Sequence, residues 1–201
     1  MRPVLRPLSF AAALFAGSTT AAFAQQQPAG PAAATAASAP AAAAPEVGQP
    51  APDFTLPWAD ATGPKATPFT LSAYRGKVVV LAFYPKDRTG GCTAELQKFR
   101  DEYTSLFGSR AGQDVVVVPI SADGLDSHAA WAKEAKYPFA LVADTGLTAV
   151  AAYGSRMEKM PLSQRTVFVI GRDGRVVYRN LKFNALSQAA YDELKAAVAA
   201  G

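Results

Sequence analysis

Val78-Val79-Val80-Leu81-Ala82-Phe83-Tyr84-Pro85-Lys86-Asp87-Arg88-Thr89-Gly90-Gly91-Cys92 is the stretch on which the reading of this chain turns. Val78 to Tyr84 is an apolar run rich in β-branched residues and closed by a proline, and with Lys77 ahead of it the pattern reads as a central strand, Lys77 to Tyr84. Beyond it Cys92, Leu96, Phe99, Tyr103 and Leu106 recur at spacings of four and three, which places all five on one face of a helix. Lys98, Arg100, Asp101 and Glu102 are expected to face water. Cys92 therefore opens the buried face at or near a helix N-terminus, a position that stabilises a thiolate. It is the only cysteine in the chain, so any thiol chemistry begins at one sulfur.

Outward from this unit, apolar runs alternate with helical patterns, the order of an α/β fold. Asp114 to Ser121 is nearly all valine and reads as a strand buried on both sides, parallel to the first. Asp126 to Lys136 is expected to be a helix, Phe139 to Val142 a short strand and Leu147 to Tyr153 a short helix. Arg165 to Ile170 joins Arg175 to Tyr178 through Arg172-Asp173-Gly174 as an antiparallel hairpin, and Ser187 to Ala200 closes the chain as a helix. Ahead of the first central strand, Phe54-Thr55-Leu56 and Pro68-Phe69-Thr70-Leu71 suggest a hairpin turning at Gly63-Pro64. A β-α-β unit, a hairpin and a terminal helix make a thioredoxin-like arrangement: a central mixed sheet flanked by helices, with an N-terminal β-hairpin extension.

The first 24 residues carry Arg2 and Arg6, an uncharged run from Leu8 to Ala24 and a closing Ala22-Phe23-Ala24, the pattern of a cleaved export signal. Gly17, Ser18, Thr19 and Thr20 interrupt the run, so no stable membrane insertion is expected after cleavage. No cysteine follows the cleavage site to take a lipid, and the two arginines are not adjacent as in a twin-arginine signal. Residues 25–45 are almost entirely Ala, Pro, Gln, Ser, Thr and Gly, a composition that buries too little surface to offset ordering entropy, and are expected to form a disordered linker. Residues 46–201 are long enough for one domain. Without Arg2 and Arg6 the formal charge of +4 drops by two, and the remaining Lys and Arg are interspersed with Asp and Glu, no footprint for nucleic acid. A lone cysteine is unusual in an exported protein, where thiols pair, and marks a reactive thiol or an intermolecular partner; the expected compartment is a periplasm.

Phe83-Tyr84-Pro85 followed by Thr89 and Cys92 resembles the Pro-x-x-x-Thr-x-x-Cys signature of the peroxiredoxins, most closely the bacterioferritin-comigratory or Q-type subgroup. Phe99-Arg100-Asp101, Ser121-Ala122-Asp123 and Arg165 opening Thr166-Val167-Phe168-Val169-Ile170 extend the similarity over the whole domain. The resemblance implies a thiol peroxidase in which Cys92 is the peroxidatic nucleophile. It further implies that the Thr89 hydroxyl and the Gly91 and Cys92 N–H groups hold the peroxide. Arg165 would face both sulfur and peroxide, Pro85 would exclude water, and Glu95 would orient the arginine. A hydroperoxide substrate and an external thiol or thioredoxin-like reductant follow as partners, with no metal or bound cofactor, in a monomer or homodimer. Ionisation alone does not explain fast peroxide reduction: a thiol of pKa ~8.5 is about 3% ionised at pH 7 and one of pKa ~6 about 90%, roughly a thirty-fold gain. The larger part must come from aligning the O–O bond and stabilising charge on the leaving oxygen.

Plainer roles stand beside these. A cysteine on an apolar helix face is usually an inert core residue, Thr89 is placed to cap the helix, Pro85 to end the strand, and Glu95 to complement the helix dipole. Arg88, Arg100 and Arg156 rival Arg165, which ranks first because thioredoxins place a proline at about that point beside their cysteines. His128, the only histidine, reads as a solvated surface residue, Trp131 as a core anchor, and Met157 and Met160 as loop residues. The chain departs from the Q-type pattern twice. Gln97 stands where many members have a second cysteine five residues after the first, and Gly90-Gly91 replaces Pro-Gly. The first departure requires a one-cysteine cycle; the second favours local unwinding. The alternative reading is a thioredoxin-fold redox sensor or binding module that does not turn over.

Overall fold

The computed structural model describes residues 43–109 and 111–201. The expected leader, residues 1–24, and the expected linker up to residue 42 lie outside the described residues. The first described contacts are those of Ala44 and Pro45, whose carbonyls accept hydrogen bonds from Arg179 Nη1 at 3.3 Å, next to an Arg179–Glu46 ion pair at 2.5 Å.

Four short strands come first: β1 (Thr55–Leu56), β2 (Trp58–Asp60), β3 (Gly63–Pro64) and β4 (Phe69–Thr70). A 3-10 turn, Leu71–Tyr74, leads into β5 (Val78–Phe83). Then follow α1 (Gly90–Asp101), α2 (Tyr103–Phe107), β6 (Val115–Ser121), α3 (Leu125–Ala135), β7 (Leu141–Ala143) and α4 (Thr148–Ala152). The hairpin β8 (Thr166–Ile170) and β9 (Val176–Asn180) and the helix α5 (Gln188–Ala200) complete the chain. The main sheet has the order β3-β2-β7-β6-β5-β8-β9, with β5, β6 and β7 parallel and the remaining neighbours antiparallel, so the sheet is mixed.

β5 lies inside the sheet, between β6 and β8, and both of its faces are apolar. Val78, Val80, Ala82 and Tyr84 pack against Cys92, Leu96 and Phe99 of α1, Trp131 of α3, and Tyr191 and Leu194 of α5. Val79, Leu81 and Phe83 point the other way, into a second core with Phe69, Val150, Tyr153 and Phe168. Each fully buried side chain of this size contributes roughly 1.5–3 kcal/mol, which fixes the register of the strand and hence the point at which the loop to Cys92 begins. The outer edge of β9 is covered by the segment before β1: Gly48 N–H donates to Val176 O at 2.8 Å and Ala51 N–H to Gly174 O at 3.0 Å.

Four expectations are corrected. Gly63-Pro64 is not the turn between β1 and β4, which do pair, but a strand paired with β2; the turn is Ala61-Thr62, closed by Asp60 accepting from the Thr62 N–H and hydroxyl at 2.8 and 2.7 Å. The helix from Cys92 to Leu106 is interrupted at Glu102, whose φ of −106° and ψ of 23° separate α1 from α2. Lys98, Arg100 and Glu102 are half-buried rather than fully in water, because their stems lie along the protein: Arg100 Nη1 reaches Ala135 O at 2.6 Å and Lys98 Nζ sits 5.0 Å over the Tyr191 ring. The fourth correction, His128, concerns the site.

Candidate active site

The Cys92 sulfur lies where β5 hands over to α1. Thr89 is the residue before the first helical turn, but its hydroxyl does not cap the helix; Oγ1 donates to Lys86 O at 3.0 Å. The first amides of a helix have no intrahelical acceptor, and among the described hydrogen bonds none takes the N–H of Gly90, Gly91 or Cys92. Those donors are available to an anion or to the oxygens of a ligand.

Arg165 reaches this point through register. β8 runs antiparallel to β5 with Thr166 opposite Phe83, so Arg165 emerges one step further on, beside the start of the loop. Its Nη2 lies 3.3 Å from Cys92 Sγ, and its Nη1 pairs with Glu95 Oε2. Cys92 and Glu95 are both fully buried, while Arg165 remains partly exposed. Gly91 makes the approach feasible, since a Cβ there would stand 3.0 Å from Arg165 Nη2. Burial pushes the Glu95 carboxyl up to about 7 against the opposing pull of the Arg165 charge, and Glu95 Oε1 has no hydrogen-bond partner. Burial alone would lower the Arg165 pKa, yet the charges of Glu95 and the sulfur raise it overall, so the guanidinium stays cationic.

The structure thus brings together Pro85, Thr89, Gly91, Cys92, Glu95 and Arg165, with Pro85 half-buried at the end of β5. The rival arginines are engaged elsewhere: Arg88 forks onto Glu134 at 3.1 Å, and Arg100 binds Asp101 at 2.7 Å and Ala135 O. Arg156 forms a backbone bridge with Ser163. Trp131 is buried in the core as expected. His128 is not solvated: it is 0% exposed, with Nδ1 3.0 Å from Asp87 Oδ2 and Nε2 3.2 Å from Val142 O. Asp87 belongs to the quoted loop, but local spacing does not reveal its partner, which lies 41 positions away. Among the described residues, no group of three or more His, Cys, Asp or Glu is placed to hold a metal ion, and no helix is long and apolar enough to cross a membrane.

A lone buried thiol at a helix N-terminus, faced by an arginine and open amides on a mixed sheet of this topology, defines a thioredoxin-fold thiol protein without a second cysteine in the chain. Residues 47–179 match the AhpC/TSA family. Peroxiredoxin Bcp of Bacillus subtilis is 33% identical over 138 residues, which is 66% of this chain and 82% of that protein. The chloroplastic peroxiredoxin Q of Sedum lineare is 38% identical over 136 residues, 66% of this chain and 68% of its own. Among solved structures, peroxidoxin BcpB from Mycobacterium tuberculosis superposes with a TM-score of 0.64 at 31% identity, covering 78% of this chain and 97% of that one. The chain belongs to the AhpC/TSA family of peroxiredoxins, with relatives of the Bcp and Q type, and is a thiol-dependent peroxidase.

Proposed function

We propose that this chain is an exported one-cysteine peroxidase that reduces hydrogen peroxide or organic hydroperoxides through Cys92 sulfenic acid and is regenerated by an external thiol. The observation that carries the reading is the 3.3 Å approach of Arg165 Nη2 to the sulfur of the only cysteine in the chain. The Cys92 thiolate attacks the terminal peroxide oxygen; the S–O bond forms as the O–O bond breaks, and the electron pair leaves on the departing oxygen. That oxygen takes up the proton the thiol released and departs as water or alcohol. Sulfur is oxidised and the peroxide reduced. Arg165 and the Gly91 and Cys92 N–H groups stabilise the charge developing on the peroxide oxygens. Because the Thr89 proton is committed to Lys86 O, the hydroxyl oxygen offers its lone pairs to the peroxide O–H. Glu95 holds the arginine in orientation, and Pro85 shields the sulfur from water.

With Gln97 at the position of the family's second cysteine, an outside thiol condenses with the sulfenic acid, releasing water and leaving a mixed disulfide. A second thiol then frees reduced Cys92. The sulfur is 0% exposed, so the first turn of α1 must open for that attack. Glycine at both positions 90 and 91 lowers the cost of opening by roughly 0.5–1 kcal/mol each relative to alanine. Small thiols and thioredoxin-like proteins are the reductants this cycle accepts. Arg2, Arg6, the uncharged run and Ala22-Phe23-Ala24 support export to a periplasm, with residues 25–45 as a linker to the domain.

Arg165→Ala tests the site directly. Single-turnover oxidation by peroxide should slow by about 10²–10³, the effect of removing one donor at a developing negative charge, with partial recovery in Arg165→Lys. Unchanged oxidation in Arg165→Ala would remove this arginine from the reaction.

A further inference from the structure

The loop that carries the thiol signature is held from beneath by a buried polar network that the reaction described above does not use. Asp87 lies midway between Pro85 and Thr89, and its side chain is almost wholly buried. Its carboxylate is approached from three sides: Tyr84 Oη donates to Oδ1 at 2.7 Å, Ser127 Oγ donates to Oδ2 at 2.7 Å, and His128 Nδ1 lies 3.0 Å from Oδ2. The Asp87 N–H donates to Asp123 Oδ2 at 2.9 Å, and the same oxygen accepts from Ser121 Oγ at 2.8 Å. The His128 ring therefore bridges this loop to the β7 carbonyl of Val142. Burial works to raise the Asp87 pKa, but His128, Ser127 and Tyr84 outweigh it and hold the carboxyl below its usual range.

Arg88, the next residue, has φ +61°, a left-handed backbone that a non-glycine residue adopts only under constraint. Its guanidinium is clamped by Glu134 at 3.1 Å and by Ser127 Oγ at 3.2 Å. One side of an otherwise exposed loop is thus fixed at two successive residues, immediately before Thr89. Burying an aspartate and a histidine for this purpose is a poor route to stability, since well-packed apolar residues do as well. It is an effective way to set geometry.

We infer that Asp87 and His128 are positioning residues for the peroxide step, fixing the Pro85–Thr89 loop so that the Thr89 oxygen and the Gly91 and Cys92 N–H groups converge on a peroxide bound over the sulfur. The inference rests on the peroxide contacts assigned above, which Thr89→Val tests independently. Reaction of Cys92 with hydrogen peroxide needs those groups; alkylation by iodoacetamide needs none of them, only a sulfur uncovered by opening of the first turn of α1. An asparagine amide nitrogen stands two bonds from Cβ, as His Nδ1 does, whereas a glutamine nitrogen stands three bonds away, as Nε2 does. His128→Asn therefore keeps the bond to Asp87 and His128→Gln keeps the bond to Val142.

The experiment measures, for both variants and Ser127→Ala, the second-order rate with hydrogen peroxide, the iodoacetamide rate and the melting temperature. In His128→Gln the peroxide rate should fall by about tenfold or more, with alkylation changed less than about twofold. His128→Asn should stay within about threefold of the parent on both reactions. If neither histidine variant folds, Ser127→Ala, which deletes one bond to Asp87 and one to Arg88 at a partly exposed position, should slow the peroxide reaction several-fold at unchanged alkylation. Equal losses in Asn and Gln, parallel losses in peroxide and alkylation rates, or an unaffected peroxide rate in His128→Gln or Ser127→Ala would overturn the inference. A Thr89→Val variant that reacts normally would instead overturn the peroxide contacts on which it rests.

Discussion

Gly91→Ala places a methyl carbon 3.0 Å from Arg165 Nη2 and 3.9 Å from its Cζ. A comfortable non-bonded separation is about 3.5 Å, so the guanidinium must retreat by roughly half an ångström. Glu95 anchors Nη1, so the retreat swings Nη2 away from the sulfur, from which it now stands 3.3 Å. Complete loss of such a donor costs about 10²–10³ in rate, and a partial displacement should cost about tenfold, or ~1.4 kcal/mol of barrier. Folding stability should not follow, because alanine in place of a helical glycine gains roughly 0.5–1 kcal/mol, which offsets the local strain. Gly90→Ala is the internal comparison: a Cβ there meets nothing within 4 Å, so it should stabilise without touching the arginine. The assay is single-turnover oxidation by stoichiometric peroxide, quenched and read by mass, so that the reductive half of the cycle does not enter. If Gly91→Ala oxidises as fast as Gly90→Ala, the approach of Arg165 to the sulfur does not govern the rate.

Thr89→Val should slow oxidation by about 10–10² while Thr89→Ser stays near the parent, as measured by competition for peroxide, because only the hydroxyl oxygen is needed. Glu95 has a carboxyl raised from 4.5 to about 7, so the native state binds the extra proton between those values. Its contribution is present in full below about pH 4.5 and is lost as pH rises through 7, on the order of 3 kcal/mol. Urea midpoints at pH 5 and pH 8 should therefore show a steeper loss in the parent than in Glu95→Gln, and equal slopes would contradict the burial argument. Gln97→Cys restores a second thiol on an exposed position of α1; one equivalent of peroxide should then give an intramolecular disulfide rather than a free sulfenic acid, seen as loss of both thiols to alkylation. Persistence of the second thiol would mean the first turn of α1 does not open.

The central strands were legible because their apolar runs are long enough to admit one reading, as in Val78–Phe83 and Val115–Ser121, and the hairpin of β8 and β9 because Asp173-Gly174 marks its turn. β2 and β3 were not, since strands of three and two residues have no periodicity, and Pro64 is tolerated because β3 is an edge that needs no donor there. The break at Glu102 is silent in the pattern because Leu96, Phe99 and Leu106 are buried in the same core on either side of it. At the site, Cys92 and Thr89 announce themselves within a single loop. Arg165 lies 73 positions from the sulfur, and only the family resemblance and the position of the thioredoxin proline single it out among the arginines. His128 stands three residues before Trp131 and four before Ala132, a spacing that puts it on the same buried face; what the local sequence does not reveal is the aspartate that partners it, which belongs to another loop.

The most direct test is the intact mass of the reduced domain before and after one equivalent of hydrogen peroxide, with a sulfenic-acid trap present and Cys92→Ser beside it. A prompt single adduct at Cys92, absent from the serine variant and converted to a mixed disulfide when a small thiol replaces the trap, is the result the one-cysteine account predicts. A thiol that stays unmodified on the timescale of peroxide loss from a parallel peroxiredoxin control would contradict it.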